Sequence, residues 1–210
     1  MLKRIIFDVD GTLIDVMNFR LLVERMLKEK GISYTEEDLD AYMLAIQTYE
    51  DEYINYDFNN YLEHIKSNCG LDIDAEYMKA FLNRASEYVP EVGSSIGLRN
   101  TLEYLKEKYE LVVLTNYFRK VQENRLRNFG ILSYFDEIYG GDSIIKPATE
   151  AFRIAQGNNK RSECLMIGDS LQLDYLGAIN FGMDAILIDK TIDKSTPNKI
   201  KSVKELKHIL

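Results

Sequence analysis

The chain starts with a short apolar run, residues 5–9, which predicts a buried β-strand that leads directly into acidic residues. Four long segments follow, in which apolar residues recur at helical spacing and few helix breakers occur. They are Phe19–Lys30, Thr35–Glu52, Asn55–Ser67 and Ala75–Tyr88. Thr35 precedes three acidic residues, which is typical of a helix N-cap. Pro90 closes the block, so the pattern predicts an all-helical insertion after the first strand.

The remainder of the chain alternates between short apolar runs and amphipathic segments. The predicted strands are ELVVLTN (110–116), the weaker FDEIYGG (135–141), CLMIGDS (164–170) and AILID (185–189). The predicted helices are Leu98–Lys108, Tyr117–Phe129, Ala148–Gln156, Leu173–Phe181 and Ser202–Leu210. Strands that alternate with such helices favour a parallel sheet covered by helices on both faces. We therefore predict an α/β fold, with a three-layer α/β/α core (residues 1–14 and 91–210) and a small all-α domain, the helical insertion (residues 15–90).

Composition and charge narrow the range of partners. Of the 210 residues, 46% are hydrophobic and 29% are charged, which is typical of an ordinary globular protein. The formal net charge is −8, so neither a nucleic acid polymer nor an anionic membrane surface is an expected partner. The acidity is concentrated in residues 14–90, which contain 7 Lys and Arg against 16 Asp and Glu.

Cysteine usage and the absence of long apolar runs bear on location. Cys69 and Cys164 are the only cysteines, and both are expected to pack as small hydrophobic side chains. No apolar run has the length of a membrane span or of the core of a secretory signal. We therefore expect a cytoplasmic protein, either a monomer or a homodimer. His64 and His208 have no ligand-like spacing and are expected at the surface.

Chemically active side chains follow the predicted strands. Ligands of an open parallel sheet bind beyond the carboxyl ends of its strands. The residues delivered there are Asp8 and Asp10, Thr115 and Asn116, Lys146, and finally Gly168, Asp169, Ser170 and Asp174. Carboxylates that converge on one point repel one another unless a cation neutralises them. Because carboxylate and phosphate oxygens suit Mg²⁺, the pattern predicts a magnesium site at this edge.

The spacing of Asp8 and Asp10 indicates a division of labour. Residues i and i+2 of a strand face the same side, so both carboxylates can serve one reacting centre. Gly11 permits a turn directly after them and leaves a backbone N–H open to an oxyanion. One carboxylate can act as a nucleophile, while the other gives a proton to the leaving alkoxide and later takes one from water. Thr115 and Lys146 would bind the non-bridging oxygens of a phosphoryl group.

Four motifs, in this order along the chain, resemble those of the haloacid dehalogenase (HAD) superfamily. The motifs are DVDGT (8–12), VVLTN (112–116), IKP (145–147) and GDSLQLD (168–174). The position of the helical insertion resembles subfamily I, whose members carry a helical cap after the first strand. The resemblance implies a Rossmann-like core, a cap domain and a Mg²⁺-dependent phosphatase that forms an aspartyl-phosphate.

The resemblance also implies a role for each motif residue. Asp8 would be the nucleophile and Asp10 the general acid/base. Thr115 and Lys146 would hold the phosphoryl oxygens, beside Gly11 and Asn116. Mg²⁺ would bind the carboxylates of Asp8 and Asp169 and the backbone carbonyl of Asp10. Asp174 and Ser170 would support these groups. The acid at position 10 favours phosphoryl transfer over dehalogenation, because a departing halide needs no proton.

The helical insertion is expected to select the substrate, a small phosphorylated metabolite. Met17, Phe19 and Tyr117 are best placed to touch the leaving group. The segment 115–131 resembles its counterpart in nucleotidase-like members, which adds a nucleoside monophosphate to the candidate substrates. The acidity of the insertion argues against a substrate with a second anionic group.

The insertion is rich in tyrosine, and two interpretations of this feature differ. Tyr42, Tyr49, Tyr53 and Tyr56 recur at helical intervals, which predicts packing within the insertion, with the hydroxyls in contact with water. The alternative is an aromatic wall that stacks on a base or a sugar.

Two alternatives to a phosphatase stay open at the level of the sequence. A sugar phosphomutase of the same superfamily, phosphoglucomutase-like, would transfer the phosphoryl group from the aspartyl-phosphate to a second hydroxyl. A HAD-like binding module without turnover would usually lack Asp8, Asp10 or Lys146, and all three are present.

Overall fold

Six parallel strands form the central sheet of the structure, a computed structural model that describes residues 1–88 and 96–210. The strands are β1 (Arg4–Phe7), β2 (Glu110–Leu114), β3 (Glu137–Tyr139), β4 (Cys164–Gly168), β5 (Asp184–Ile188) and β6 (Lys199–Ile200). Their order across the sheet is β3-β2-β1-β4-β5-β6. The chain builds one half of the sheet outward from β1 and then returns to build the other half. In open parallel sheets, ligands bind beside the carboxyl end of the strand at which the strand order reverses, which here is β1.

Within the described ranges, eight α-helices surround the sheet or extend beyond it. They are α1 (Phe19–Glu29), α2 (Glu36–Glu52), α3 (Phe58–Cys69), α4 (Ala75–Glu87), α5 (Ile96–Lys106), α6 (Arg119–Asn128), α7 (Thr149–Gln156) and α8 (Gly177–Phe181). A π-helical turn at Leu171–Leu176 leads into α8. None of the helices in this part of the chain is both long enough and apolar enough to cross a membrane.

The register of β1 brings the predicted motifs to one edge of the sheet. Phe7 pairs with Val113 of β2 on one side and with Ile167 of β4 on the other. Asp8 continues this pairing, since its N–H donates to the Ile167 carbonyl at 2.9 Å. The residues that directly follow β2 and β4 therefore lie beside Asp8.

Helices cover both faces of the sheet because β1 is apolar on both sides. Ile5 and Phe7 belong to a hydrophobic cluster with α5 and α6. Ile6 belongs to a second cluster with α7 and α8, on the opposite face. Strands buried on both faces read as continuous apolar runs, as residues 5–7 do. The predicted three-layer α/β/α core is therefore confirmed.

The helical insertion has a hydrophobic cluster of its own. Buried side chains of α1–α4 form it, among them Leu27, Tyr42, Tyr61 and Phe81. Tyr117, which follows β2, joins this cluster, so the insertion packs against the core. The packing interpretation of the tyrosines is confirmed for Tyr42, which is fully buried. The expectation that the hydroxyls reach water is wrong for Tyr42, and the hydroxyl of Tyr61 is buried in the same way.

Local sequence signals set several helix ends. Thr35 caps α2 as predicted, because its hydroxyl accepts from the N–H of Asp38 at 3.1 Å while the Asp38 carboxylate accepts from the Thr35 N–H at 2.8 Å. α3 begins at Phe58, later than predicted, because the Asp57 carboxylate caps the two N–H groups that follow Phe58. The predicted end of the insertion at Pro90 lies outside the described residues.

Two other predictions are wrong, and one strand was not predicted. Ser202–Leu210 contains a 3-10 turn at Val203–His208 instead of an α-helix, although Ser202 caps it as expected. The sequence does not predict β6, because two residues are too few for a strand pattern. His64 is 4% exposed instead of lying at the surface, and its Nε2 lies 3.0 Å from the Ala45 carbonyl oxygen.

Candidate active site

A buried lysine joins two carboxylates at the carboxyl edge of the sheet. The Lys146 ammonium lies 2.6 Å from Asp8 Oδ1 and 2.5 Å from Asp174 Oδ1. Asp8 directly follows β1, Asp174 lies in the π-helical turn after β4, and Lys146 lies in the loop between β3 and α7. All three side chains are buried. One positive charge is therefore shared by two acids that water barely reaches.

Two glycines make room for the acids that follow β4. A Cβ atom on Gly168 would come within 2.2 Å of Asp174 Cγ. Gly11 has a φ of +78°, and a Cβ atom there would meet an Asp169 carboxylate oxygen at 2.0 Å. The left-handed backbone favours glycine at position 11 for a second reason. The prediction of an open N–H at Gly11 is wrong, because the turn after β1 directs this N–H to the Ile14 carbonyl at 2.7 Å.

Asp8, Asp169 and Asp174 form a group whose geometry fits a metal ion. One carboxylate oxygen of each lies within 4.8 Å of the others. Such hard oxygen donors are the ligands that Mg²⁺ prefers. Ser170 braces the group, because its N–H donates to Asp174 Oδ2 at 3.0 Å and its hydroxyl accepts from the Leu173 N–H at 3.1 Å. Two predicted metal ligands, Asp8 and Asp169, therefore lie together, and Asp174 lies with them.

The crowding of charge shifts the ionisation of these groups. Burial raises the pKa of Asp8, and so does Asp174, against the opposing pull of Lys146. Desolvation by the surrounding protein atoms raises the pKa of Asp169, and the negative charge of Asp174 raises it further. The Asp169 side chain nevertheless remains exposed. Burial alone would lower the pKa of Lys146, but the attraction of Asp174 and Asp8 outweighs it and leaves this pKa raised. The site holds more negative charge than Lys146 balances, which favours a cation.

The second motif acid, Asp10, has a different set of partners. Its Oδ1 accepts from Arg125 Nη1 at 2.7 Å, and its Oδ2 accepts from Gln122 Nε2 at 2.7 Å. Both partners lie on α6 and are fully buried. β1 ends at Phe7, so Asp10 lies in the following turn and not in the strand itself. Its side chain is 32% exposed and contributes to the wall of the same cleft as Asp8.

Thr115 and Asn116 lie beside Lys146. The Thr115 hydroxyl donates to the Asn116 carbonyl at 2.9 Å and accepts from Gln122 Nε2 at 3.1 Å. The Asn116 side chain accepts from the Lys146 N–H at 2.9 Å and donates to the Lys146 carbonyl at 3.2 Å and to Glu50 Oε2 at 2.8 Å. These contacts engage the oxygen and both N–H donors of the Asn116 side chain, and they join the end of β2 to the loop that carries Lys146.

A cleft of about 360 Å³ lies between these groups and the helical insertion. Besides the motif residues, which include Leu173, its lining consists of Val16, Phe19, Ile46, Gln47, Glu50, Tyr56 and Tyr117. Phe19 and Tyr117 thus lie where substrate contact was predicted. Met17 lies elsewhere, buried in the cluster of the insertion and outside the lining that the described residues form. Tyr117 has a φ of +81°, a strained conformation for a residue with a side chain.

Comparison with known proteins identifies the family. A model of haloacid dehalogenase-like hydrolases matches residues 5–188 of the chain, which span the core strands β1–β5 and the helical insertion. The chain belongs to the haloacid dehalogenase-like hydrolase family. The resemblance inferred from the four motifs is therefore confirmed.

Two similar HAD-family proteins and one solved structure illustrate the relationship. The pyrimidine 5'-nucleotidase YjjG of Escherichia coli is 27% identical over 194 residues, which cover 85% of this chain and 82% of that protein. The glyceraldehyde 3-phosphate phosphatase of Methanothermobacter thermautotrophicus is 28% identical over 214 residues, which cover 96% of this chain and 92% of that protein. The magnesium-bound crystal structure of Bacillus subtilis YfnB matches 100% of this chain and 98% of its own, with a TM-score of 0.76 and 21% identity. At that identity the structural likeness supports the fold.

Sequence reasoning missed three polar residues of this HAD-like hydrolase. Gln122 and Arg125 hold Asp10, and Glu50 reaches from α2 to the cleft. A signal existed on α6. Arg125 lies four residues after the buried Val121 and three residues after Gln122, so helical spacing places all three side chains on the inner face. Glu50 gives no such signal, since it begins a run of three acidic residues at the end of α2.

Proposed function

We propose that this HAD-like hydrolase is a Mg²⁺-dependent phosphatase that hydrolyses a small phosphate monoester through an aspartyl-phosphate on Asp8. The observation that carries the proposal is a buried Asp8, held by Lys146, with a second acid, Asp10, held separately at the same cleft. The names of two relatives, a nucleotidase and a glyceraldehyde 3-phosphate phosphatase, support the reaction class.

In the first step, Asp8 attacks the phosphorus atom of the ester. A bond forms between the Asp8 carboxylate and phosphorus as the bond to the leaving oxygen breaks. Lys146 orients Asp8, and of its three N–H donors, Asp8 and Asp174 engage two, so a third remains for a phosphoryl oxygen. The Thr115 hydroxyl supplies another donor when it turns away from the Asn116 carbonyl.

Asp10 moves the protons in both steps. It gives its proton to the leaving alcohol in the first step, and in the second it takes one from the water that cleaves the aspartyl-phosphate. Each turnover therefore returns Asp8 and Asp10 to their starting states. Gln122 and Arg125 engage both oxygens of Asp10 and so fix the direction from which the proton arrives.

The donor set at the carboxyl edge fits Mg²⁺. The carboxylates of Asp8 and Asp169 and the backbone carbonyl of Asp10 would hold the ion, with Asp174 beside them. When bound, the ion would neutralise the carboxylates and the phosphoryl oxygens that meet there. The magnesium in the related YfnB structure supports this choice of metal.

The helical insertion acts in this proposal as a cap that selects the leaving group. Phe19, Tyr56 and Tyr117 give the cleft aromatic surfaces, which suit the flat or ring-shaped part of a metabolite. Glu50 places a carboxylate among them, and its partners, Asn116 and the Tyr56 hydroxyl, are neutral. This charge favours leaving groups that donate hydrogen bonds and disfavours a second anion, so a nucleoside monophosphate fits.

Phosphate release from p-nitrophenyl phosphate tests the proposal. We expect turnover with Mg²⁺, loss of turnover with EDTA, and recovery when Mg²⁺ is restored. Asp8→Asn should lower kcat by about 10⁴–10⁶-fold, as the loss of a nucleophile does. Asp184→Asn, an exposed position at the amino end of β5, is the matched control and should keep full activity. Substantial turnover by Asp8→Asn would exclude Asp8 as the nucleophile.

The role of Asp10 predicts a dependence on the leaving group. Asp10→Asn should slow an alkyl monoester by about 10²–10⁴-fold, the usual contribution of a general acid. In single-turnover measurements of aspartyl-phosphate formation, the same variant should slow p-nitrophenyl phosphate much less, because p-nitrophenolate leaves without a proton. Equal slowing of this first step for the two esters would count against Asp10 as the acid.

Glu50 can be tested through substrate preference. Glu50→Gln keeps the size of the side chain and removes its charge, so kcat/KM for a substrate with a second phosphate or carboxylate should rise relative to that for a nucleoside monophosphate. Asp51→Asn, the exposed neighbour on α2, is the control. If a bisphosphate activator instead supports phosphoryl transfer between sugar hydroxyls, the protein is a phosphomutase.

The proposal extends to the setting of the enzyme. We expect a cytoplasmic protein that acts as a monomer or a homodimer on a small phosphorylated metabolite. The two free cysteines, Cys69 and Cys164, are both buried, in keeping with a reducing compartment.

A further inference from the structure

Arg125 has an unusual position for a charged residue. Its side chain is fully buried, and its guanidinium contacts the core and both connections to the helical insertion. Nη1 donates to Asp10 Oδ1 and to Gln122 Oε1, each at 2.7 Å. Nε donates to the Tyr88 carbonyl at 3.2 Å, and Nη2 donates to the Asp15 carbonyl at 3.4 Å. One side chain thereby joins four distinct parts of the chain.

The two carbonyl partners lie at the two places where the insertion meets the core. Asp15 lies between the turn after β1 and α1, in the first connection. Tyr88 follows α4, where the second connection begins. The Tyr88 ring also lies near the guanidinium, with its centroid 5.8 Å from Arg125 Cζ. A movement of either connection would therefore displace a hydrogen-bond partner of Arg125.

The charge of Arg125 is balanced at Asp10. Over residues 1–88 and 96–210, Asp10 is the carboxylate that lies within ion-pair distance of this guanidinium. A buried guanidinium needs a partner with good geometry, because desolvation otherwise destabilises it. The planar fork of arginine can hold the carboxylate and the two carbonyls at once, which a lysine ammonium cannot do in the same geometry.

We propose that Arg125 is a positioning residue that makes the placement of the Asp10 carboxylate depend on both connections between the core and the helical insertion. This inference rests on the proposed function in one respect, namely that Asp10 transfers the proton. Gln122 completes the arrangement, since it holds the second oxygen of Asp10 and also the Thr115 hydroxyl. The Asp10 carboxylate is therefore placed for proton transfer when the insertion occupies one particular position over the cleft.

The kinetic test uses Arg125→Lys with Arg4→Lys as the matched control. Arg4 is also a buried arginine in ion pairs, but it lies at the opposite end of the sheet. We expect Arg125→Lys to lower kcat for an alkyl phosphate by about 10–100-fold, part of the contribution of a general acid. KM for the alkyl phosphate should change little, and so should the single-turnover rate of aspartyl-phosphate formation from p-nitrophenyl phosphate. Arg4→Lys should show no such dependence on the leaving group.

An Asp10→Asn background separates positioning from general damage. If Arg125 acts through Asp10, then Arg125→Lys should have no further effect on the alkyl ester once Asp10 is replaced. The positioning role is overturned if the two substitutions multiply, or if Arg125→Lys slows the formation of the aspartyl-phosphate from both esters equally. A wild-type protein without phosphatase activity would refute the proposed function and leave the following structural test intact.

Hydrogen exchange tests the link to the connections without any turnover. Asp10→Asn should increase amide exchange in residues 13–18 and 84–88 by about 2–10-fold, as expected for the loss of one hydrogen bond. Arg125→Lys should do the same. Asp184→Asn and Arg4→Lys are the controls and should leave both segments unchanged. Unchanged exchange in Asp10→Asn, or a change confined to one connection, would overturn the inference.

Discussion

The two ends of strand β1 both carry buried charge, and they balance it differently. At the amino end, Arg4 forms ion pairs with two partly exposed glutamates at 2.6 Å and 3.1 Å. At the carboxyl end, Lys146 lies between Asp8 and Asp174, and all three side chains are buried. At each end, one cation faces two carboxylates. Water solvates the surplus negative charge only at the amino end.

We interpret the ion pairs at the amino end as stabilising contacts and the buried cluster at the carboxyl end as a ligand-binding site. The glutamates that bind Arg4 stay hydrated, so their charge is tolerated in the folded protein. The buried acids at the carboxyl end lack that hydration, and burial is the main reason why the pKa of Asp8 is raised. We expect such a cluster to lower the stability of the metal-free protein and a bound cation to compensate for it.

Among the changes that compare the two ends of β1, the removal of the Lys146 ammonium should have the largest effect. Lys146→Met should lower kcat by about 10²–10³-fold, the effect of losing one donor to the charge of a transition state. Steady-state phosphate release at saturating Mg²⁺ measures it. Lys106→Met removes an exposed ion pair with Asp136 near the amino ends of the strands and should leave kcat nearly unchanged. Equal losses in the two variants would abolish the distinction between the two ends.

Mg²⁺ should stabilise the protein through the carboxyl end alone. At a Mg²⁺ concentration of about 100 times Kd, we expect Tm to rise by about 5–10 °C, because the ion binds the folded state selectively. Differential scanning calorimetry with and without EDTA measures the shift. Asp169→Asn should reduce the shift strongly, whereas Asp184→Asn, the exposed control on β5, should retain it. A full shift in Asp169→Asn would place the ion elsewhere.

Removal of the arginine at the amino end should affect stability and not chemistry. Arg4→Met should lower the free energy of unfolding by about 1.5–3 kcal/mol, through the loss of hydrogen bonds to charged groups and to the Ala155 carbonyl. Denaturant unfolding measures the loss. The kcat per folded molecule should stay at the wild-type value, and a fall comparable to that of Lys146→Met would mean that the two ends are coupled.

The smallest effect concerns the metal-free protein. Because the pKa of Asp8 is raised in the folded state, the folded protein keeps this proton to a higher pH than the unfolded chain does. Ionisation of Asp8 therefore lowers stability as the pH rises above the ordinary value of 3.8. In EDTA, Asp8→Asn should raise Tm by about 2–4 °C near neutral pH, the effect of about 1 kcal/mol. The gain should shrink towards pH 4, and a loss of stability at neutral pH would contradict it.

Much of the fold follows from local sequence. The apolar run before Asp8 and the alternation of strands and helices after residue 96 predict the three layers, because each element must bury its apolar face. Three of the four motifs lie at the ends of their strands, so parallel pairing alone brings Asp8, Thr115 and Asp169 to one edge. The cap at Thr35 is likewise local, since donor and acceptor are three residues apart.

Local sequence patterns therefore predict the family, five of the six strands and the acids at their carboxyl edge. How those acids are held depends on contacts between distant parts of the chain. Arg125 meets Asp10 across 115 positions of the chain, and Asn116 meets Glu50 across 66. Neither pairing leaves a local pattern. Arg125 reaches Asp10 only when α6 packs beside β1, and Asn116 reaches Glu50 only when the helical insertion packs onto the core. The packing of α2 against α3 buries His64, and the hydroxyls of Tyr42 and Tyr61 are buried as well, since burial depends on which faces meet and not on the polarity of a single residue.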